Sequence, residues 1–275
     1  MKCAIIGLGL IGGSFGLATK EYFEEIAGID KNPLHEKEAL NLGIIDKIIT
    51  LKEVKDFDVI ILAIPIKGII ETIKEISKLP IKDNATIIDF GSTKEEIILS
   101  TPKNIRKNLV ASHPMAGTEY SGPFAAIKDL YKNRVMVVCD IENSGEYQQK
   151  VAIDIFNYLE MKIKFMSAKE HDRHAAFISH MPHIVSFSLA NSVLKQEDKE
   201  HIVALAAGGF KDMSRLAKSS PTMWRDIFKS NKENLLTAIQ AFKEELKLAQ
   251  KLIEKEEWNA LKEWMENGNK LHKIM

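Results

Sequence analysis

The sequence is short of several things. It holds two cysteines, Cys3 and Cys139, in 275 residues. Both lie in apolar, strand-like runs, which excludes a disulfide framework or a cysteine zinc site and reads as two small buried side chains. Neither sign of charge is in excess: 38 Lys and Arg face 38 Asp and Glu. The overall balance therefore argues against nucleic acid or an anionic membrane surface as the main partner, leaving only a local patch open. No apolar run reaches the roughly 18–20 residues of a membrane span. The opening MKCAIIGLG enters a strand directly, without a cleavable leader, so a cytoplasmic location is expected. Internal repeats and low-complexity tracts are missing too.

What is present is length enough for two domains and a change of character partway along. Short runs rich in Ile and Val, at 2–7, 26–30, 58–65, 85–91, 108–114 and 134–140, read as strands buried on both faces. Helical patterns intervene at 11–21, 35–42, 67–78 and 93–99, then at 145–160 ahead of a strand KIKFM at 162–166. Such alternation predicts an α/β fold, a doubly wound Rossmann-type parallel sheet with helices on both faces. From Ser167 to Met275 no strand pattern occurs, which predicts domains at 1–166 and 167–275, the second all-α. In that part Pro182 predicts a bend or break, and Ser230 with Glu233 makes a capping-box pattern. Leu235, Ile239, Phe242, Leu246, Ala249 and Ile253 form one apolar stripe, read as core packing first and as a subunit interface second.

Gly7, Gly9 and Gly12 spell G-x-G-x-x-G between a buried-type strand and an apolar helix. The first glycine permits a tight turn, the second lets backbone approach a pyrophosphate, and the third lets helix and strand pack closely. Leu10 and Ile11 begin the helix whose N-terminus meets the phosphate charge. The next strand ends at Asp30, eighteen residues after Gly12, where a carboxylate can accept hydrogen bonds from a ribose and would repel a 2′-phosphate. NAD is expected as the cofactor; the adjacent Lys31 keeps NADP open.

Ligands of a doubly wound sheet bind beyond the carboxyl ends of its strands. The strand at 85–90 ends in Gly91, Ser92, Thr93 and Lys94, and that at 108–112 in His113 and Pro114. Ser92 and His113 are therefore expected at the cofactor's crevice, with Ser92 also a possible N-cap for the helix at 93–99. The stretch SHPMAGTEYSGPFAA (112–126), with ISHMPH (178–183) and GGFKDMSRLA (208–217), resembles the prephenate and arogenate dehydrogenase family over nearly the whole chain.

That resemblance implies oxidative decarboxylation of prephenate: hydride leaves the hydroxyl-bearing ring carbon for NAD⁺, carbon dioxide leaves the opposite carbon, and 4-hydroxyphenylpyruvate results. It implies His113 as the catalytic histidine that takes the ring hydroxyl's hydrogen bond, and Ser92 as its companion. It makes Arg215 a carboxylate-binding group, with Asp212 three residues earlier on the same helix face to hold it. His183, His180, Glu119 and Trp224 match further substrate-side positions, and Arg225 is a weaker candidate. The family's intertwined helical domains imply a homodimer.

Several alternatives stay open. His180 and His183 also read as polar links between domains. H-x-x-H pairs at 171/174 and 180/183 lack the further ligands of an ordinary zinc site, and the chemistry asks for no metal. His35, His201 and His272 read as merely exposed. The roughly 110 residues after the sheet leave room for neither a fused chorismate mutase nor a regulatory ACT domain. No residue separates prephenate from arogenate. A β-hydroxyacid dehydrogenase would share the layout, with Lys211 as its lysine, but leaves HPMAGTE unexplained. A sensor binding NAD without chemistry would need the glycine loop and not His113 or Arg215.

Overall fold

The computed structural model describes residues 1–118 and 120–274. Eight strands form one sheet: β1 (Lys2–Ile6), β2 (Glu25–Ile29), β3 (Lys47–Ile48), β4 (Val59–Leu62), β5 (Thr86–Asp89), β6 (Leu109–Pro114), β7 (Val135–Cys139) and β8 (Lys162–Met166). Their spatial order is β3-β2-β1-β4-β5-β6-β7-β8. The pairing is parallel from β3 to β6 and between β7 and β8, but β6 and β7 run antiparallel, His113 facing Val137. The expected parallel sheet is thus mixed. The reversal arises because the segment after β6 returns over the carboxyl end of the sheet instead of crossing a face as a long helix. The two-residue β3 falls in a stretch too short to show a strand period.

Five helices accompany the sheet: α1 (Leu10–Ala18), α2 (Pro33–Asn41), α3 (Ile66–Ile76), α4 (Glu95–Ser100) and α5 (Glu146–Tyr158). Because strand side chains alternate, Cys3, Ile5, Val59 and Ile61 join Phe15, Tyr131 and Phe156 on one face. Ala4, Ile6, Ile60 and Leu62 join Ile69, Ile73 and Ile97 on the other. In α3 the buried residues are Ile66, Ile69, Ile73 and Ile76, a helical 3-4-3 spacing. Burying one such side chain fully is worth about 1.5–3 kcal/mol. Cys3 and Cys139 are free thiols inside this core, as expected.

Beyond Met166 the described residues are helical: α6 (Ala168–Ala175), α7 (Met181–Gln196), α8 (Lys199–Leu205), α9 (Gly208–Ser214), α10 (Pro221–Ser230), α11 (Lys232–Glu254) and α12 (Trp258–Asn269). No helix among the described residues is long and apolar enough to cross a membrane. Helix α10 lays Trp224 and Ile227 into the sheet's second core, beside Ile69 and Ile73.

Three local expectations are corrected. Pro182 does not break its helix. It occupies the first turn of α7, where no N–H is needed, and a π-helical turn at Ala176–His180 absorbs the irregularity just before it. The Ser230/Glu233 capping box is not formed. Asn231 is the N-cap of α11, and the Ser230 hydroxyl instead donates to the Ile227 carbonyl and meets Thr93 Oγ1 at 3.0 Å. The stripe on α11 is only partly core: of its residues Leu235 is buried, Ile239, Phe242 and Ala249 are half-buried, and Leu246 and Ile253 are 59% and 51% exposed, while the other buried residues of the helix, Ala238 and Leu252, lie outside the stripe.

Candidate active site

The glycine loop lies where the sheet order reverses, between β1 and β4, the place where an open α/β sheet leaves a crevice. Gly7 has φ +98°, and a Cβ there would stand 2.4 Å from the Ala63 carbonyl oxygen at the end of β4. At Gly12 a Cβ would meet the Gly7 carbonyl oxygen at 1.8 Å, so the third glycine is needed for α1 to leave the strand this closely. Over Gly9 the space is open: a Cβ would have no neighbour within 4 Å. Gly9 is the N-cap of α1 without a capping side chain, and no acidic residue occupies the first turn. The amides around Leu10 and Ile11 thus present an uncapped positive helix end.

Asp30, just past β2, accepts the Leu8 amide at 2.8 Å and the Asn32 amide at 2.8 Å, which ties it to the loop. His35 is half-buried, with Nδ1 3.4 Å from Asp30 Oδ1, so it is not merely exposed as its sequence context suggests. The open cradle over Gly9, the bare helix end and the carboxylate beside them suit a dinucleotide with a free ribose 2′-hydroxyl.

At the ends of β5 and β6 the structure brings together a second group of residues. Ser92 does not cap the following helix. Helix α4 starts at Glu95, and its N-terminal amides are taken from far away: Asp172 accepts Lys94 N–H at 2.8 Å and Glu95 N–H at 2.9 Å. The half-buried Ser92 hydroxyl is left without a hydrogen bond among the described residues. Lys94 is fully buried. Its ammonium contacts Asp89 and donates to the Ser112 carbonyl at 2.7 Å. Burial pushes the Asp89 carboxyl up, against the pull of Lys94.

His113, in the last turn of strand β6, is half-buried, with Nδ1 2.9 Å from Nε2 of His171. The Nδ1 of His171 lies 2.7 Å from Asp172 Oδ1. Desolvation, then the proximity of His171, Lys94 and His180, holds His113 well below the usual histidine pKa. His180 is buried and pushed down to about 4, mainly by burial, with Asp172 opposing. Asn231 donates to His180 Nδ1 at 3.2 Å and to the Asp172 carbonyl at 2.7 Å.

His183 donates Nδ1–H to the Ser179 carbonyl at 2.9 Å and stacks on the Trp224 indole, ring centroids 3.5 Å apart. Burial lowers its pKa, and the nearby Arg215 guanidinium lowers it further. Trp224 Nε1–H is buried with no acceptor among the described residues. Arg215 opens a short 3₁₀ turn after α9 and is exposed, as is Asp212. The expected Asp212–Arg215 pair is not formed: no ion pair joins them among the described residues. Arg225 turns instead to Asp226, at 3.1 Å. Glu119 lies outside the described residues.

The two H-x-x-H pairs diverge. His171 is buried while His174 is only half-buried, and His180 and His183 spend their Nδ1 atoms on different partners. Among the described residues no three His, Cys, Asp or Glu side chains are placed to hold a metal ion. Sequence reasoning missed His171 as a neighbour of His113, and also Asp172, Lys94 and Asn231. The only sequence signal was the adjacency of His171 and Asp172 just after the last strand, and nothing in spacing says which distant histidine they meet.

Comparison with known proteins agrees with this geometry. Residues 15–165 match the family model "Prephenate dehydrogenase, nucleotide-binding domain" and residues 167–267 match "Prephenate dehydrogenase, dimerization domain". The chain is 36% identical to the prephenate dehydrogenase of Lactococcus lactis subsp. cremoris, over 100% of this chain and 77% of that protein. It is 31% identical to the cyclohexadienyl dehydrogenase of Zymomonas mobilis, over 97% and 93%. The crystal structure of Aquifex aeolicus prephenate dehydrogenase in complex with hydroxyphenyl propionate and NAD⁺ superposes with a TM-score of 0.93 at 32% identity, covering 100% of this chain and 98% of that one. The nucleotide-binding match begins after the glycine loop, so the loop stands on its own geometry. A mixed Rossmann-type sheet, a helical C-terminal domain, and both family matches over nearly the whole length lead to one conclusion: the chain belongs to the prephenate dehydrogenase family.

Proposed function

We propose that the protein converts prephenate and NAD⁺ to 4-hydroxyphenylpyruvate, carbon dioxide and NADH, with the cofactor on residues 1–166 and the helical residues 167–275 serving the substrate and a second copy of the chain. The observation that carries this reading is His113. It is a histidine kept neutral at the carboxyl end of β6 with His180 nearby, and His180 packs on Trp224, which stacks on His183 beside Arg215.

Gly7, Gly9 and Gly12, with the amides that start α1 at Leu10 and Ile11, would hold the pyrophosphate, and Asp30 the ribose. Bound there, the nicotinamide supplies the hydride acceptor. A neutral His113 accepts the hydrogen bond of the ring hydroxyl and takes its proton as that carbon becomes carbonyl-like. Loss of carbon dioxide leaves its electron pair in the ring. The ring aromatises to a phenolate, and the proton held by His113 returns to that oxygen, so the reaction releases no net proton. Ser92, its hydroxyl unengaged, hydrogen-bonds the same substrate oxygen. Arg215 pairs with a substrate carboxylate, for which a guanidinium fork is suited. The acceptor-less Trp224 N–H and the His183 and His180 edges face the remaining polar groups, with Asp212 at the rim.

A homodimer is supported by the name of the matched C-terminal family model and by exposed apolar side chains on its helices. Leu194, Val203, Leu205, Leu246, Ile253 and Trp258 are all more than half exposed. Two free buried thiols suit a reducing cytoplasm.

The test is NADH absorbance with prephenate and with arogenate, each with NAD⁺ and NADP⁺. Fastest turnover of prephenate with NAD⁺ is expected. NAD⁺ binding without any turnover would replace the enzyme by a sensor. The Zymomonas relative favours a second reading, use of both cyclohexadienyl substrates, which comparable rates with arogenate would establish.

A further inference from the structure

The hydrogen-bond chain Asp172–His171–His113 has a direction, and the direction decides which nitrogen of His113 can act as a base. Asp172 Oδ1 stands 2.7 Å from His171 Nδ1. A carboxylate only accepts, so His171 carries its proton on Nδ1, and a neutral His171 then has a lone pair on Nε2. That Nε2 lies 2.9 Å from His113 Nδ1. Two lone pairs cannot face each other at that distance, so His113 carries its proton on Nδ1. Its Nε2, which has no hydrogen-bond partner among the described residues, is left as an acceptor.

We infer that His171, anchored by Asp172, is a positioning residue that sets the tautomer of His113 so that Nε2 is free to accept the substrate's hydroxyl proton. The inference rests on the reading of His113 given above, and it names a residue that never touches substrate.

Three features make the anchor firm. Asp172 is held by four donations: the amides of Lys94 and Glu95 and the His171 ring reach its carboxylate, and Asn231 reaches its backbone carbonyl. It is buried, as is His171, so water does not compete for the ring. The carboxylate also belongs to the element that follows the sheet, whereas His113 ends β6. The chain thus ties the base to the helical residues carrying His180 and His183. The charged and titratable groups around His113 are Lys94 beside β5, His171 on α6 and His180 in the π-turn. Of these, only His171 bonds to the ring. The ring opposite a base nitrogen commonly fixes its tautomer in this way.

The direct test is a ¹⁵N–¹H long-range correlation spectrum of the full-length enzyme labelled in histidine, at neutral pH. His113 is expected with a protonated Nδ1 and a bare Nε2. A wild-type His113 protonated on Nε2 overturns the inference. If such an enzyme still oxidises prephenate and loses that activity as His113→Asn, the role of His113 stands and only that of His171 falls. Kinetics supply the second arm. His171→Leu removes the acceptor and is expected to lower kcat by roughly 10²-fold, within the range a general base contributes, with KM for prephenate and the Kd of NAD⁺ changed less than about two-fold. His171→Gln places Oε1 near the lost Nε2 and is expected to restore at least about ten-fold of that rate. Equal rates for the Leu and Gln variants, or a Leu variant as fast as wild type, overturn the inference. Should His171→Leu fail to fold, the wild-type spectrum alone decides.

Discussion

Asp172 accepts the backbone N–H of Lys94 at 2.8 Å across 78 residues of sequence. Together with Glu95 N–H, this makes a side chain of α6 the cap of α4 in the sheet domain. A capping carboxylate normally comes from the residue just before its helix. Here it comes from another domain, so helix α4 and the His113 neighbourhood share one anchor.

Replacing Asp172 by Ala is therefore expected to cost about 2–4 kcal/mol, a lost cap plus buried amide donors without a partner. Asp172→Asn keeps an acceptor and is expected to lose less. Urea unfolding followed by circular dichroism measures both. A loss below about 1 kcal/mol for the alanine variant would mean that the amides find other partners.

His113→Asn removes the base while leaving a polar side chain of similar reach. The expected outcome is a fall in kcat of about 10²–10⁴-fold with prephenate affinity nearly intact. Steady-state rates beside direct binding of prephenate to the NAD⁺-loaded enzyme separate the two effects. If affinity collapses with the rate, His113 positions substrate instead of taking its proton.

Arg215 carries the third expectation. It has no ion-pair partner among the described residues and sits near enough to His183 to depress its pKa. Arg215→Ala should raise KM for prephenate by an amount equivalent to about 1.5–3 kcal/mol, one charge-assisted bond, with kcat less affected. An unchanged KM removes Arg215 from the substrate site.

Stability should also depend on pH in a direction set by the histidines. His113, His180 and His183 all have folded pKa values below that of an unfolded chain, about 6.5, chiefly through burial, with His180 near 4. Below about pH 6.5 the unfolded chain binds more protons than the folded one, so stability falls as pH drops towards 4. Asp89, raised by burial, works in the opposite sense with one proton against three. Urea midpoints at pH 7, 5.5 and 4.5 test this. A midpoint that holds steady or rises on acidification would show that these rings are solvated and charged in the fold.

Much of the molecule could be read before any coordinates. Runs such as DVIILAIP show their burial on both faces by having no polar alternation. G-x-G-x-x-G states its own geometry, because only glycine tolerates φ +98° at residue 7 and the carbonyl that nearly fills the Cβ position of residue 12. Features that depended on a distant partner were misread or missed. Ser92 looked like a cap because the rule is local, while the real cap arrives from Asp172. The Ser230/Glu233 pattern was satisfied on paper, but Ser230 found Thr93. His35 looked idle until the turn after β2 set it against Asp30.

By itself, then, the sequence determined the strand and helix succession, the glycine turn after β1 and the presence of His113 at a strand end. These follow from periodicity and backbone stereochemistry, which act over a few residues. Only the tertiary structure decided that β7 runs backwards, that Lys94 is buried on Asp89, and that His171 and Asp172 stand behind His113. Each of those is a contact between segments far apart in the chain, and hydrogen-bond direction has meaning only once both partners are in place.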